Sequence, residues 1–392
     1  PSIQVSVGEN FTKISDNHYC IVPDRAEHYQ MLLEQLAQEN KRIGQIVCLW
    51  EYDQYRGEIA HLEELEQSQK QGLFRLLFLV KALEQSRSEE QSVQLLWVSS
   101  YSQSIVPSDK IAYEKGTVLG LLKTIGQEMT WLNCRHIDLP VLEVKVNEAY
   151  IRQELGNFAK ETEVAYRDGK RLVCGIESVN LAEEPKQELP FITGGIYLIS
   201  GGLGGIGTEI ASFLLKNYQA RLLIVGRTSL PDQNTWPTHL DSGNALARKI
   251  QAYQQLQQLP GAVIYEDVDI CDYAQLQQLL TTTLSKWGGQ LDGIIHLAGI
   301  LTEQLLVSQT LESLTAVLRP KFLGTWALHK LLLEDNPQGL FIHFSSINGF
   351  FGGTTVGAYA AASSFMEAFC DYQQTYTSLQ SYCLSWSMWE SA

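Results

Sequence analysis

Positive charge is scarce in this 392-residue chain. Lys and Arg number 29 against 44 Asp and Glu, a net charge of −15. Such a balance argues against nucleic acid or an anionic membrane as partner, while leaving room for a locally basic pocket. Long apolar runs are missing too: none reaches membrane-spanning length, and the start, PSIQVSVGEN, lacks the basic and apolar regions of a secretory signal. A cytoplasmic location is therefore expected. Cysteines are few and scattered: Cys20, Cys48, Cys134, Cys174, Cys271, Cys370 and Cys383 include no CxxC pair and no neighbour at metal-ligand spacing. Reduced thiols and no metal site are the expectation. His136, His296 and His343 sit in apolar, strand-like runs, the setting of hydrogen-bonded core histidines. No repeat of solenoid period occurs. The first residue is Pro, as in a piece cut from something longer. The length allows two domains, and an apolar share of 45% is ordinary for a globular protein.

Residues 1–185 lack something more specific. Strands are expected at His18–Val22, Ile43–Trp50, Val93–Ser99 and Cys134–Asp138, with helices at Arg25–Glu39, Gly72–Glu84, Tyr113–Thr130 and Asn147–Asn157. This alternation predicts a parallel sheet with right-handed crossovers. No glycine-rich turn follows any of these strands, so this half is expected to be scaffold rather than a second active site. Glu63–Gln71 reads as a solvated helix face or loop. Val164–Arg167, Asp168-Gly169 and Arg171–Val173 read as a hairpin. The polar, proline-bracketed stretch Leu181–Pro190 is the expected linker, with a boundary near 181–193 and domains at 1–185 and 186–392.

The missing turn is present in the second half. Ile196–Ile199 is a short buried-strand run, followed by Gly201, Gly202, Leu203, Gly204, Gly205, Ile206 and Gly207, an apolar helical face, and a second strand at Leu222–Val225. Glycines there let the backbone approach a pyrophosphate, and the helix start presents free amides and a positive dipole. The turn predicts a dinucleotide site. Arg227 ends the second strand, where the adenosine ribose belongs. A guanidinium there pairs with a 2′-phosphate, which points to NADPH over NADH. Thr228 follows it. Residues 228–261 form a polar insert with a helix expected at Ala245–Gln258, read as a surface excursion. Further strands are expected at Ala262–Asp269, Leu291–Leu297, Leu340–Phe344 and Tyr382–Trp386, and helices at Leu311–Leu333 and from Ala358. Asp269, Ile270, Ala298, Gly299 and Ser346 all fall at carboxyl ends of strands, where open parallel sheets bind ligands. Tyr359 lies one turn into the following helix.

Ser346 and Tyr359 are candidates for carbonyl chemistry. A tyrosine can protonate the oxygen left when hydride reaches a ketone, provided a nearby cation lowers its pKa from about 10. A serine can hold that oxygen.

The glycine turn, Asp269, Ile294–Gly299, Ser346 and Tyr359 resemble the short-chain dehydrogenase/reductases. Arg319-Pro320-Lys321, Phe344–Ser346 and Tyr359–Ala362 more closely resemble ketoreductase domains of modular polyketide synthases and polyketide–peptide hybrids. In the first half, Leu95–Ser100, Gly120–Glu128 and Ala165–Arg171 are similar to that family's cofactor-free structural subdomain. The resemblance implies two Rossmann-like subdomains, α/β throughout, the second with a doubly wound parallel sheet. It implies NADPH-dependent reduction of the β-keto group of a substrate tethered to an acyl carrier protein, with other synthase domains as neighbours and no metal. Tyr359 would be proton donor, Lys321 its pKa-lowering cation and Ser346 the carbonyl holder. The family's asparagine four residues after the tyrosine is Ser363 here, which implies an altered relay and lower activity. Glu303 and Phe351 stand at the stereocontrol positions, Glu303 leaning to the D-configured alcohol. The family continues past Trp386-x-x-Trp389 into a substrate-covering lid, whereas this chain ends at Ala392. Two alternatives stay open: α-keto reduction in a peptide-synthase module, and a catalytically silent domain kept as scaffold.

Overall fold

The computed structural model describes residues 2–87, 92–141, 144–156, 161–180, 182–183 and 188–389. Part of the expected linker and the last three residues lie outside the described residues. Among the described residues no helix is long and apolar enough to cross a membrane.

The chain opens with a small sheet. β1 (Gln4–Val7) runs parallel to β3 (His18–Ile21), which pairs antiparallel with β2 (Thr12–Ser15). From sequence, His18–Val22 belongs to the parallel array; the structure places it in this separate sheet instead. The turn at Asp16-Asn17 folds β2 back on it, and alternate residues Tyr19 and Ile21 are buried on one face. Then come α1 (Ala26–Gln38), β4 (Gln45–Glu51), α2 (Leu62–Gln69), a π-helical turn at Lys70–Phe74, α3 (Arg75–Ser86), β5 (Val93–Ser99), α4 (Gly116–Glu128), β6 (Leu132–Asp138), α5 (Val144–Gly156), β7 (Glu163–Arg167) and β8 (Lys170–Val173). The sheet order is β4-β5-β6-β7-β8, parallel up to the final hairpin. Asp168 and Gly169 both have positive φ, 50° and 76°, the backbone of a type I′ turn.

The second half runs β9 (Ile196–Ser200), α6 (Gly205–Tyr218), β10 (Arg221–Gly226), α7 (Trp236–Leu240), α8 (Ala245–Gln257), β11 (Ala262–Asp267), α9 (Tyr273–Trp287), β12 (Gly293–His296), α10 (Leu311–Asp335), β13 (Leu340–Ser346), α11 (Ile347–Phe351), α12 (Gly357–Tyr376) and β14 (Gln380–Trp386). All pairings in its sheet are parallel, in the order β11-β10-β9-β12-β13-β14. The order reverses between β9 and β12, the switch point where such sheets bind ligands. Every residue of β9 is buried, as its unbroken apolar run requires of a strand covered on both faces.

Packing divides the chain into two compact units, and the division is not a single cut. One unit comprises 1–176 with 301–315 and 347–369; the other comprises 177–300, 316–346 and 370–392. The six-stranded sheet and the glycine turn lie in the second unit. α11 and the first part of α12 lie in the first.

Candidate functional site

In the second unit, the glycine turn links β9 to α6. Gly201 has φ of 76°, a conformation that costs an L side chain, and a Cβ there would sit 3.1 Å from the amide of Ala298. At Gly207 a Cβ would fall 2.6 Å from Gly202 Cα, so the helix can start this close to the turn only with glycine. α6 begins after Gly204 with no side-chain cap on its first amides. Those donors, with the positive end of the helix dipole, form a cradle for a pyrophosphate.

Beside the cradle is a cavity of about 210 Å³, lined by Gly201, Arg227, Thr228, Asp269, Ile270, Ala298 and Gly299, and also by Lys249, Cys271, Arg319 and Pro320. The structure therefore brings together seven of the residues picked from sequence. Asp269 lies two residues beyond the end of β11, not within it. One of its oxygens accepts from the Cys271 amide at 3.0 Å, the other approaches Arg319 at 3.4 Å. Burial and the Asp269 carboxylate push the Cys271 thiol up to about 12, so it stays neutral.

Lys249 and Arg319 were not legible as pocket residues. Lys249 belongs to the insert read as a surface excursion, but α8 buries Ala247, Ile250 and Leu256, and Lys249 flanks that face. Its ammonium donates to the Thr228 hydroxyl at 2.5 Å. Arg227, Lys249 and Arg319 thus surround one small cavity. These cations and the glycine cradle fit an anionic dinucleotide.

Lys321 lies further along the same unit, in α10, and is 2% exposed. Its ammonium donates to the Phe344 carbonyl at 2.6 Å, and a Cβ on Gly299 would meet its Cε at 2.9 Å. The preceding Pro320 leaves its carbonyl facing His296 Nε2 at 3.1 Å, and His296 Nδ1 lies 2.6 Å from the Ser200 hydroxyl. Burial, then the Lys321 charge, holds His296 well below the ordinary histidine value, so it is a neutral core residue as its setting in β12 suggests. Ser346 closes β13, opposite Trp386 of β14, and is buried.

The first unit holds Tyr359, Ser363, Phe351 and Glu303. Tyr359 is the third residue of α12 and half-buried; Ser363, one turn on, is fully buried. Glu303 and Phe351 are exposed. α12 is held from within this unit by α4. A Cβ at Gly120 would lie 2.3 Å from the Ala360 carbonyl oxygen, and one at Gly116 would lie 2.9 Å from Ala368 Cβ. An interior glycine such as Gly120 costs a helix about 1 kcal/mol, and this close backbone approach is what it allows.

At the carboxyl ends of β5 and β6, where a Rossmann sheet would open to a ligand, the first unit is filled with its own polar groups. Ser99 Oγ meets His136 Nε2 at 2.6 Å, and Ser102 donates to Asp138, which also pairs with Arg167. Burial lowers His136 to about 3. A larger cavity, about 500 Å³, opens beside β4, but Asp53, Glu58, Glu63 and Glu64 outnumber Arg56 and Lys115 in its lining. That charge repels a pyrophosphate.

Two family models match stretches of this chain. The family model described as KR domain matches residues 195–391, and the one described as beta-ketoacyl synthase-like, N-terminal, matches residues 1–154. The chain is 30% identical to polyketide synthase PksL of Bacillus subtilis over 69% of its own length and 6% of that protein's. It is 32% identical to 6-methylsalicylic acid synthase of Aspergillus terreus over 50% of its length and 11% of that protein's. Among solved structures, a multidomain structure with adenylation, ketoreductase and pseudo Asub parts from a keto acid-selecting NRPS module aligns with a TM-score of 0.89 and 31% identity. That alignment covers 99% of this chain and 32% of that one. An N-terminal ketoreductase from the macrolactin assembly line, 21% identical, shares the fold at a TM-score of 0.81 over 100% of this chain and 74% of its own. The chain spans less than a fifth of the curated synthases it matches, as the 6% and 11% shares show. A KR-domain match over half of its residues, on a doubly wound sheet with the glycine cradle in place, makes this chain a member of the ketoreductase-domain family of polyketide and peptide assembly lines.

Proposed function

We propose that the chain reduces a keto group on an acyl chain tethered to a carrier protein, using NADPH. The observation that carries the choice of NADPH is the cluster of Arg227, Lys249 and Arg319 around the cavity beside the glycine cradle. Several cations in one small space favour a 2′-phosphate over a free 2′-hydroxyl. Gly201 to Gly207 and the first amides of α6 would hold the pyrophosphate, with Ala298 and Gly299 lining the same space. When bound, the nicotinamide supplies hydride to the carbonyl carbon.

The chain's own residues do the rest. Ser346 holds the carbonyl oxygen by hydrogen bond. Tyr359 delivers a proton to that oxygen as it gains charge. The charge of Lys321 favours the phenolate left behind. Ser363 takes the relay position four residues after Tyr359, and Glu303 and Phe351 border the substrate. On this reading the sequence segment 186–392 is the catalytic part and 1–185 its support.

The polyketide synthase relatives favour a β-keto substrate. A second reading, reduction of an α-keto group, is favoured by the likeness, at 31% identity across nearly the whole chain, to the keto acid-selecting NRPS module. Turnover of α-keto and β-keto acyl-pantetheine thioesters, followed by NADPH absorbance, separates the two. A purified chain that binds NADPH and oxidises it with neither would be a silent domain.

A further inference from the structure

The stretch Gly120–Glu128, similar to a structural subdomain, makes contacts that a mere support does not need. Glu128 is the last residue of α4, where the helix dipole disfavours an acid. Its two carboxylate oxygens are spent on two separate loops of the first unit. Oε2 accepts from the Leu306 amide at 2.8 Å, and Oε1 accepts from the Thr355 amide at 2.8 Å. The loops also meet each other, the Gln304 amide donating to the Thr355 carbonyl at 2.7 Å.

Thr355 has φ of 68°, a strained setting for a β-branched residue that its surroundings must maintain. Leu306 is fully buried, and a Cβ on Gly357 would lie 2.7 Å from its Cδ2, two residues before Tyr359. α4 also holds α11, the short helix that leads into the second loop. Lys123 donates to the Gly349 carbonyl at 3.1 Å and Gln127 to the Phe351 carbonyl at 2.6 Å. A charged carboxylate bonded to two amides is the strong member of this set.

We infer that Glu128 is a positioning residue for the reaction: it ties the loop carrying Glu303 to the loop that follows Phe351 and leads into the helix of Tyr359. The face of the ketone open to hydride is then fixed from the first half of the chain. This rests on the ketoreductase reading above.

The test is E128Q, which keeps the side chain's shape but turns an acceptor into a donor facing an amide N–H. Four quantities are read: kcat, KM, NADPH affinity, and the ratio of the two alcohol enantiomers from a keto-acyl-pantetheine thioester. Amide exchange is followed in parallel. The expected result is a fall of about 10-fold in both kcat and enantiomer ratio, the scale of one charge-assisted hydrogen bond, with NADPH affinity unchanged. Exchange at Leu306 and Thr355 should quicken while β5 stays protected. E128D, too short to reach both amides, should fall between the two proteins. An unchanged enantiomer ratio with unchanged exchange would overturn the inference. So would loss of folding in both variants, since the carboxylate would then be carrying the fold. A wild type that makes no alcohol refutes the ketoreductase reading, and the exchange arm still decides whether Glu128 holds the loops.

Discussion

The ammonium of Lys321 donates to the main-chain carbonyl of Phe344 at 2.6 Å, two residues before Ser346. A buried cation is thereby tied to the strand whose end supplies the proposed carbonyl holder. Its stem rests against Gly299, in the lining of the cavity beside the glycine turn. Lys321→Met removes the charge at nearly constant volume. Turnover should fall about 10²–10⁴-fold, the range of a lost contribution to proton transfer, in an NADPH-oxidation assay. Gly299→Ala puts a Cβ 2.9 Å from Lys321 Cε and should lower turnover as well, by displacing the stem. Wild-type rates in both variants would separate Lys321 from the chemistry.

The proposed choice of NADPH rests on three cations. Arg227→Glu should weaken NADPH about 10–100-fold, the scale of a charge-assisted hydrogen bond lost, and leave NADH nearly unaffected. Lys249→Met and Arg319→Met should each weaken NADPH in the same sense. Titration with both cofactors measures this. Equal loss of NADPH and NADH in all three would remove the 2′-phosphate role.

Much of this was legible because the relevant signals are local. The glycine turn, the buried runs of β9 and β10 and the Asp168-Gly169 hairpin declare themselves through φ requirements and burial on both faces. Arg227, Asp269 and Gly299 could be placed in one cavity because strand ends in a doubly wound sheet converge. Lys249 and Arg319 could not, since their approach depends on how α8 and α10 pack and nothing in the adjoining residues records it. The first strands show the same limit. His18–Ile21 has a strand's pattern, but which sheet it joins is decided by pairing with Gln4–Val7, which carries too short a signal to find. Glu128 is the plainest case: as sequence it is an acid ending a helix, and its partners lie about 180 and 230 residues away.

Helix packing inside the first unit gives a stability prediction. Gly120→Ala places a Cβ 2.3 Å from the Ala360 carbonyl oxygen, a backbone atom that cannot swing aside. Overpacking of this kind costs about 1–3 kcal/mol. Thermal unfolding should shift down accordingly, whereas Gly126→Ala, with nothing within 4 Å, should leave stability unchanged or raise it.

Stability should fall with acid in a defined window. Burial lowers His136 to about 3 and His343 to about 4, and His296 lies well below its ordinary 6.5. Between those values and 6.5 the unfolded chain binds more protons than the native one. The stabilisation is complete above about pH 6.5 and is lost as pH falls toward 4. Each histidine contributes a slope of up to about 1.4 kcal/mol per pH unit there, offset in part by Glu51, which burial raises to about 7, and Asp371, which burial raises to about 6, since both bind more protons in the native state. Denaturant unfolding at pH 7, 6 and 5 measures the slope, and His343→Gln should flatten it.

In the proposed function, Tyr359 donates the proton as a carrier-type keto thioester is reduced. NADPH oxidation with a keto-acyl-pantetheine substrate, wild type against Tyr359→Phe, tests it most directly. The expected result is turnover by the wild type, a loss of at least about 10²-fold in the variant, and equal NADPH affinity in both. Retained turnover in the variant would contradict it.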